Sequence, residues 1–402
     1  MSLSPAIKLI LPGLLLLAAQ PGYCEEAPAE SSAPAAPTPP PMPAEPRYLQ
    51  LEQLRSFYKL LPQPNSGGGT LRTVANAGTT ISFGPGKREV NIGGYRWLLS
   101  YPIREDGSGD ILISEVDAVK IFDPVLRPTY IADRRVVRTV IIDPGHGGYD
   151  AGSTSGNLNE AEFCLTLAKE LKEALTRRGY NVQLTHEHSR HMSDRQRINC
   201  VSSADSPIFI SLHLNSGRSD IQGIETYTAT PDGPGNTRRP ANNHDAASAA
   251  LAFAVHSSMI STTGAKDGAC RRARYSLLNS VECPSIMVLA GYATNTEEAA
   301  KLATPEYRTQ LATAITEGVC TFARNINPDA KLEPAPEVAP EPATPEPVAA
   351  PAPPAPARAN NTSRNRSRAN RNRNSRNSAS RSSRSSRNSS RSSSRSRRNR
   401  RR

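Results

Sequence analysis

Two histidines and one glutamate have types and spacing that could hold a metal ion: His146, Glu160 and His213. His146 lies in Asp143-Pro144-Gly145-His146-Gly147-Gly148, directly after the apolar run Val136-Val137-Arg138-Thr139-Val140-Ile141-Ile142. Such a run reads as a buried strand, and the C-terminal ends of strands are where open α/β sheets place their sites. The adjacent glycines let the backbone turn tightly around the imidazole. His213, in Ile210-Ser211-Leu212-His213-Leu214-Asn215, emerges at the end of a second apolar run, and Glu160 opens a helix between the two. Two imidazoles and a carboxylate meeting at one rim of a sheet would make a three-ligand zinc site with a position open to water or substrate, as in catalytic zinc centres. Each residue alone is ordinary; it is their joint placement that points to one ion.

The elements that must position them read as follows. From Val136 strands alternate with helices, which predicts an α/β fold over 136–325: a three-layer α/β/α sandwich with a mostly parallel sheet. Phe163, Leu167, Leu171 and Leu175 recur every four residues on one helix face, and Gly179 can end that helix. Strands are expected at 181–185, 208–212, 224–228 and 286–289, and helices at 245–261 and 307–322. Upstream, 47–130 reads as a small α+β, β-rich N-terminal domain. Leu51, Leu54 and Tyr58 mark a short amphipathic helix, followed by strands at 71–74, 80–83, 89–92 and 95–100 between Gly- and Pro-rich turns.

Asp143 to Asp150 with Gly152, Glu160 followed by Phe163-Cys164-Leu165-Thr166-Leu167-Ala168, and Ser211-Leu212-His213-Leu214-Asn215 resemble the zinc-dependent N-acetylmuramoyl-L-alanine amidases of the type 3 catalytic domain. Those enzymes cut peptidoglycan between the lactyl group and the first alanine. Gly223-Ile224-Glu225-Thr226-Tyr227 and Arg271-Arg272-Ala273-Arg274-Tyr275 continue the likeness, which covers nearly all of 136–325. The resemblance implies that His146, Glu160 and His213 bind a single zinc ion; Glu162 would replace Glu160 only if the helix began later. The arrangement of 47–130 is loosely similar to the amine-oxidase-type N-terminal domain found on exported wall proteins.

The family chemistry implied is a zinc ion that polarises the amide carbonyl and acidifies water, with a second Glu that accepts the water's proton and passes one to the leaving amine. In the family that Glu opens a Glu-x-Gly-aromatic-x-x-Asn stretch at the end of the last strand. Here the stretch is Leu289-Ala290-Gly291-Tyr292-Ala293-Thr294-Asn295. Glycine, aromatic and asparagine are kept, but leucine cannot move a proton. Loss of a general base costs about 10²- to 10⁴-fold in rate, so slow hydrolysis is expected. Glu225 on a nearby strand is the candidate substitute base, the substrate or a second water could shuttle the proton instead, and Glu282 falls at the wrong edge of the sheet. The alternative is a non-catalytic, amidase-like protein that binds peptidoglycan or regulates its turnover.

Thr185-His186-Glu187-His188-Ser189-Arg190-His191 offers a second histidine cluster, either another metal site or pH-sensing loop, or a polar surface loop. The surface loop is the expectation, because the three are not spaced to share a helix face.

The 402 residues allow two folded units plus tails. Lys8 and the apolar residues through Ala19, too short to span a bilayer comfortably, predict a signal peptide over 1–24 and hence export to the periplasm or cell envelope, with no transmembrane helix after its removal. A lipid anchor at Cys24 is the rival, disfavoured by the bulky Tyr23. Pro/Ala/Glu-rich stretches at 25–46 and 328–357 read as linkers, and 358–402 as a disordered Arg/Ser/Asn tail. That tail holds 17 Arg and no acid, more than the whole formal charge of +12, so the rest of the chain is net acidic. The tail suits anionic wall or membrane polymers; nucleic acid is the competing partner, and the export signal argues against it. Removal of the signal leaves Cys164, Cys200, Cys270, Cys283 and Cys320, an odd number. An oxidising compartment would permit a Cys270 to Cys283 bridge, while Cys164, Cys200 and Cys320 read as small buried hydrophobes.

Overall fold

A computed structural model describes residues 46–64, 71–132, 134–156, 158–230 and 243–330. The expected signal peptide, both linkers and the basic tail lie outside these residues, apart from the margins 46 and 328–330. One sheet of 11 strands runs through the described chain: β1 (Leu61–Pro62), β2 (Arg72–Ala75), β3 (Thr80–Phe83), β4 (Glu89–Ile92), β5 (Tyr95–Leu98), β6 (Thr139–Pro144), β7 (Asn181–Leu184), β8 (Pro207–Asn215), β9 (Ile224–Ala229), β10 (Asp267–Ala273) and β11 (Ser285–Tyr292). Their order is β7-β6-β8-β11-β9-β10-β5-β4-β3-β2-β1. The helices that bear on the argument are α1 (Leu51–Tyr58), α2 (Glu160–Arg177), α3 (Asp194–Asn199), α4 (Asp245–Thr263), α5 (Ser276–Ser280), α6 (Thr296–Leu302) and α7 (Pro305–Ile326).

The layers follow from side-chain alternation along the central strands, which are buried on both faces. Val140, Ile142, Ile208 and Ile210 pack with the buried face of α2 (Phe163, Leu167, Leu171, Leu175) and with Leu311, Ile315 and Val319 of α7. On the other face Ile141 and Phe209 meet Val201, Leu277, Val281 and Cys283 around the short helices α3 and α5. The second outer layer is therefore thin, and the sheet's site face is left open beside it.

Over 136–325 the sheet is mostly parallel: β7, β6, β8 and β11 run parallel, β9 joins β11 antiparallel, and β10 runs parallel to β9. The whole sheet is mixed, because β5 to β1 form an antiparallel meander. The β-rich segment at 47–130 shares this sheet with 136–325. β5 pairs with β10 through Trp97 and Cys270, both fully buried, and the Arg96 backbone N–H donates to Asp267 Oδ2 at 2.8 Å. The seam was illegible because β10, with two arginines at its centre, has no apolar run to announce it.

Cys270 and Cys283, which an oxidising compartment would permit to bridge, are both free; Cys270 is a buried thiol whose Sγ faces Ala252 O at 3.7 Å. Cys164 is buried as expected, whereas Cys200 and Cys320 are only half-buried. No helix among the described residues is long and apolar enough to cross a membrane.

Candidate metal centre

Each of the three candidate ligands is delivered by its own element. Glu160 is the first residue of α2, whose start is fixed by Asn159: its side chain accepts from the Glu162 backbone N–H at 3.0 Å, the N-cap arrangement. Glu162 is thereby turned away from the role that a later helix start would have given it. His213 lies within β8 rather than just beyond it, because that strand runs on to Asn215. His146 follows β6 in the left-handed backbone region, at φ 61°, a conformation that costs a non-glycine residue on the order of 1–3 kcal/mol.

What holds that turn is a buried arginine. Arg197 Nη1 donates to Asp143 Oδ1 and to Pro144 O, each at 2.6 Å, and Nη2 donates to His146 O at 2.9 Å. Asp143 also accepts from Thr185 Oγ1 at 2.7 Å and from Ser211 Oγ at 2.9 Å, so its carboxylate is fully engaged in bracing the turn.

The three side chains come together. Glu160 Oε1 lies 3.1 Å from both His146 Nε2 and His213 Nδ1, and the candidate ligand atoms all fall within 4.8 Å of one another. His146 Nδ1 is 2.9 Å from Asp150 Oδ2, which fixes the ring and leaves Nε2 pointing inward. That Nε2 is buried and makes no aligned hydrogen bond. A buried nitrogen without an aligned hydrogen bond, beside a carboxylate and a second imidazole, is a donor set that could hold a divalent metal ion. Glu160 is 1% exposed, and its other oxygen accepts from the Ser153 N–H at 2.8 Å while Oε1 also accepts from the Leu214 N–H at 2.9 Å. Burial works against charge on His146, but Glu160 and Asp150 outweigh it and raise its pKa to about 8. Burial likewise opposes the Glu160 charge, and the two imidazoles overcome it, holding the carboxyl far below its usual range.

Two glycines are excluded from carrying side chains by this cluster. A Cβ on Gly145 would lie 2.4 Å from the His213 ring, and one on Gly152, itself at φ +64°, would lie 2.6 Å from the ring of His146 and 2.7 Å from Glu160 Oε2.

The cluster opens into a cavity of about 280 Å³ whose lining includes His146, His213, His191, Tyr275, Met287 and Leu289. Leu289 is 7% exposed and stands in a transverse row across three strands: His213 of β8 beside Leu289 of β11 beside Glu225 of β9. At Leu289 the wall is apolar, with Leu289 packed in one cluster with Met287, Tyr227 and Leu278.

Glu225 shares that face at a distance from the cluster. At a strand spacing of about 4.8 Å it stands roughly 10 Å from His213. Its carboxylate accepts from Asn215 Nδ2 at 3.0 Å, Tyr227 Oη at 2.8 Å and Tyr292 Oη at 3.0 Å, and it pairs with Arg271 Nη2 at 2.9 Å. Burial first, and the Glu225 charge second, push both tyrosine hydroxyls up, so they stay protonated as donors. Four donors use the roughly four acceptor positions of a carboxylate, leaving none for a proton from water. Glu225 is thus held in this network and is not a member of the cluster of His146, Glu160 and His213. Glu282 lies where sequence order placed it, off this site, in a cleft with Arg134 and Arg135.

The histidine loop is not uniformly a surface feature. His186 is buried against Thr185, with its pKa lowered by burial and then by Arg197. His188 is exposed, while His191 reaches the cavity and stacks on Tyr149. Sequence reasoning missed Asp150 and Arg197 as organisers. Asp150 stands four residues after His146 in the quoted motif and could have been found; Arg197 gave no local signal.

Comparison with known proteins adds the following. Residues 140–321 match the family model described as N-acetylmuramoyl-L-alanine amidase. The chain is 27% identical over 185 residues to the uncharacterized protein YqiI of Bacillus subtilis, covering 46% of this chain and 84% of that one. It is 29% identical over 190 residues to the N-acetylmuramoyl-L-alanine amidase LytC of the same organism, covering 47% of this chain and 36% of LytC. Among solved structures, the amidase AmiC2 of Nostoc punctiforme is 29% identical, with 46% of this chain and 97% of that chain covered and a TM-score of 0.42.

Proposed function

We infer that this chain, whose residues 140–321 match the N-acetylmuramoyl-L-alanine amidase family model, acts as a hydrolase on the amide between N-acetylmuramic acid and L-alanine in peptidoglycan. The observation that carries this is the convergence of His146, Glu160 and His213 on one point at the mouth of a cavity. A zinc ion held there would act as a Lewis acid on the amide carbonyl and lower the pKa of water. Asp150 orients His146, Arg197 holds the turn that presents it, and the apolar wall of Met287 and Leu289 keeps the reacting amide away from bulk solvent. Among the described residues no carboxylate stands at the position of Leu289 to carry the proton, so turnover is slow and relies on the substrate or on water for the transfer.

Leu289 favours a second reading, a domain that keeps the ion and the glycopeptide cleft but only binds or regulates. In either reading the protein is exported to the periplasm or envelope by its N-terminal segment, with the 47–130 strands as an accessory unit and the Arg-rich tail adhering to anionic wall or membrane polymers.

Zinc content and muropeptide release of the natural chain beside Leu289→Glu separate the readings. The expected result is one zinc per chain in both, with weak release by the natural chain and a rise of about 10²-fold or more in the variant. Zinc binding without any release by the natural chain, alongside cutting by the variant, selects the binding module. Absence of stoichiometric metal from the natural chain overturns both.

A further inference from the structure

Tyr149 is 83% exposed, although it sits one residue from Asp150 and three from His146. An aromatic ring left in water so close to a reactive centre has either no role or an external one. The ring is not loose. It stacks on His191 with centroids 4.4 Å apart and planes inclined by 26°. The two loops that carry the pair pack closely: a Cβ on Gly147 would lie 2.4 Å from Arg190 O, one on Gly148 would lie 2.5 Å from the His191 N, and the Gly148 N–H donates to Ser189 Oγ at 3.1 Å. One face of the Tyr149 ring is thus taken by His191, and no described residue covers the rest.

His191 lines the cavity, and so do Asp150, Ser193 and Asp194. An exposed ring, stacked on a histidine that lines a cavity with carboxylates and a hydroxyl in its wall, matches the chemistry of a pyranose: the axial C–H groups of the sugar rest on the electron-rich ring while its hydroxyls bond to polar groups of the cavity. We propose that Tyr149, backed by His191, is a sugar-binding platform at the mouth of the site, where it seats the glycan ring adjoining the scissile amide. The inference rests on the reading of the site as one that takes peptidoglycan, and it adds a residue that recognises the glycan rather than the stem peptide. It assigns Tyr149 a role through its ring, not through its hydroxyl.

Co-sedimentation of the zinc-loaded full chain with purified sacculi, and with glycan strands stripped of their peptides, tests this, comparing the natural protein with Tyr149→Ala and Tyr149→Phe. Alanine is expected to weaken binding to both probes by roughly three- to tenfold, the range of one aromatic stacking contact, while phenylalanine restores it. Zinc content of each variant checks that the neighbouring centre is intact. Equal binding by Tyr149→Ala and the natural chain overturns the platform and leaves the amidase reading standing. Failure of the natural chain to bind either probe overturns both, and a loss with Tyr149→Phe equal to that with alanine shifts the contact from the ring to the hydroxyl and overturns the proposal as stated.

Discussion

At Gly145 a single methyl group would sit inside van der Waals contact of His213, 2.4 Å from its ring, with no room to yield because that ring faces Glu160. Gly145→Ala is therefore expected to weaken zinc binding by at least about tenfold while thermal unfolding of the rest changes little, read by competitive metal titration. An unchanged affinity would remove His213 from the ligand set. Asp150→Ala makes the complementary test, since losing the group that orients a metal-binding imidazole typically costs about 10- to 100-fold in affinity. At this scale much could be read beforehand, because His146, Glu160 and His213 sit in motifs whose residue types carry their own chemistry. Leu289 was equally readable as an absence. The engagement of Glu225 was not, since its partners come from Asn215, Tyr227, Arg271 and Tyr292, on four strands whose register no local pattern states.

The turn after β6 depends on a helix that sequence periodicity barely marks. α3 has six residues, too few to reveal a face, yet its Arg197 is the cation for a carboxylate that is buried completely. Removing one partner of a buried pair costs about 3–5 kcal/mol, because the other charge is left without compensation. Arg197→Met is accordingly expected to lower the unfolding midpoint by about 6–20 °C in a domain of this size and to release the left-handed turn at His146, so that zinc affinity falls together with stability. Adding Asp143→Asn should recover part of the stability but not the affinity, because the carbonyls of Pro144 and His146 would still lack their donor. A double variant no more stable than Arg197→Met would show that charge is not what the pair contributes. Longer elements were easier: the every-fourth-residue stripe of α2 and the apolar run of β6 each state one face or one buried span. Even so β6 begins at Thr139 rather than Val136, since burial along the run is continuous only from there.

Across the molecule the sheet does not stop where the sequence motifs do. β10 bears the edge that an isolated domain over 136–325 would expose, and here β5 covers it, with Arg96 Nη1 donating to Asp267 O at 2.7 Å and Lys120 reaching the buried Asp245 at 3.8 Å. Asp267 in turn holds the buried His256 at 3.0 Å, so the seam reaches the interior of α4. A chain shortened to begin at residue 134 would leave an unpaired strand edge together with the surface vacated by Trp97, a combination that invites association between copies. Its unfolding midpoint is expected to fall by more than about 5 °C, with oligomers appearing in size-exclusion chromatography at micromolar concentration. Arg96→Ala in the full chain should move the midpoint in the same direction by a smaller amount, because the backbone N–H of residue 96 still reaches Asp267. If the shortened chain stays monomeric and melts with the full one, the strands at 47–130 are a passenger on the sheet. A drop in both proteins makes them part of the scaffold that holds β9, and through it Glu225, beside Leu289.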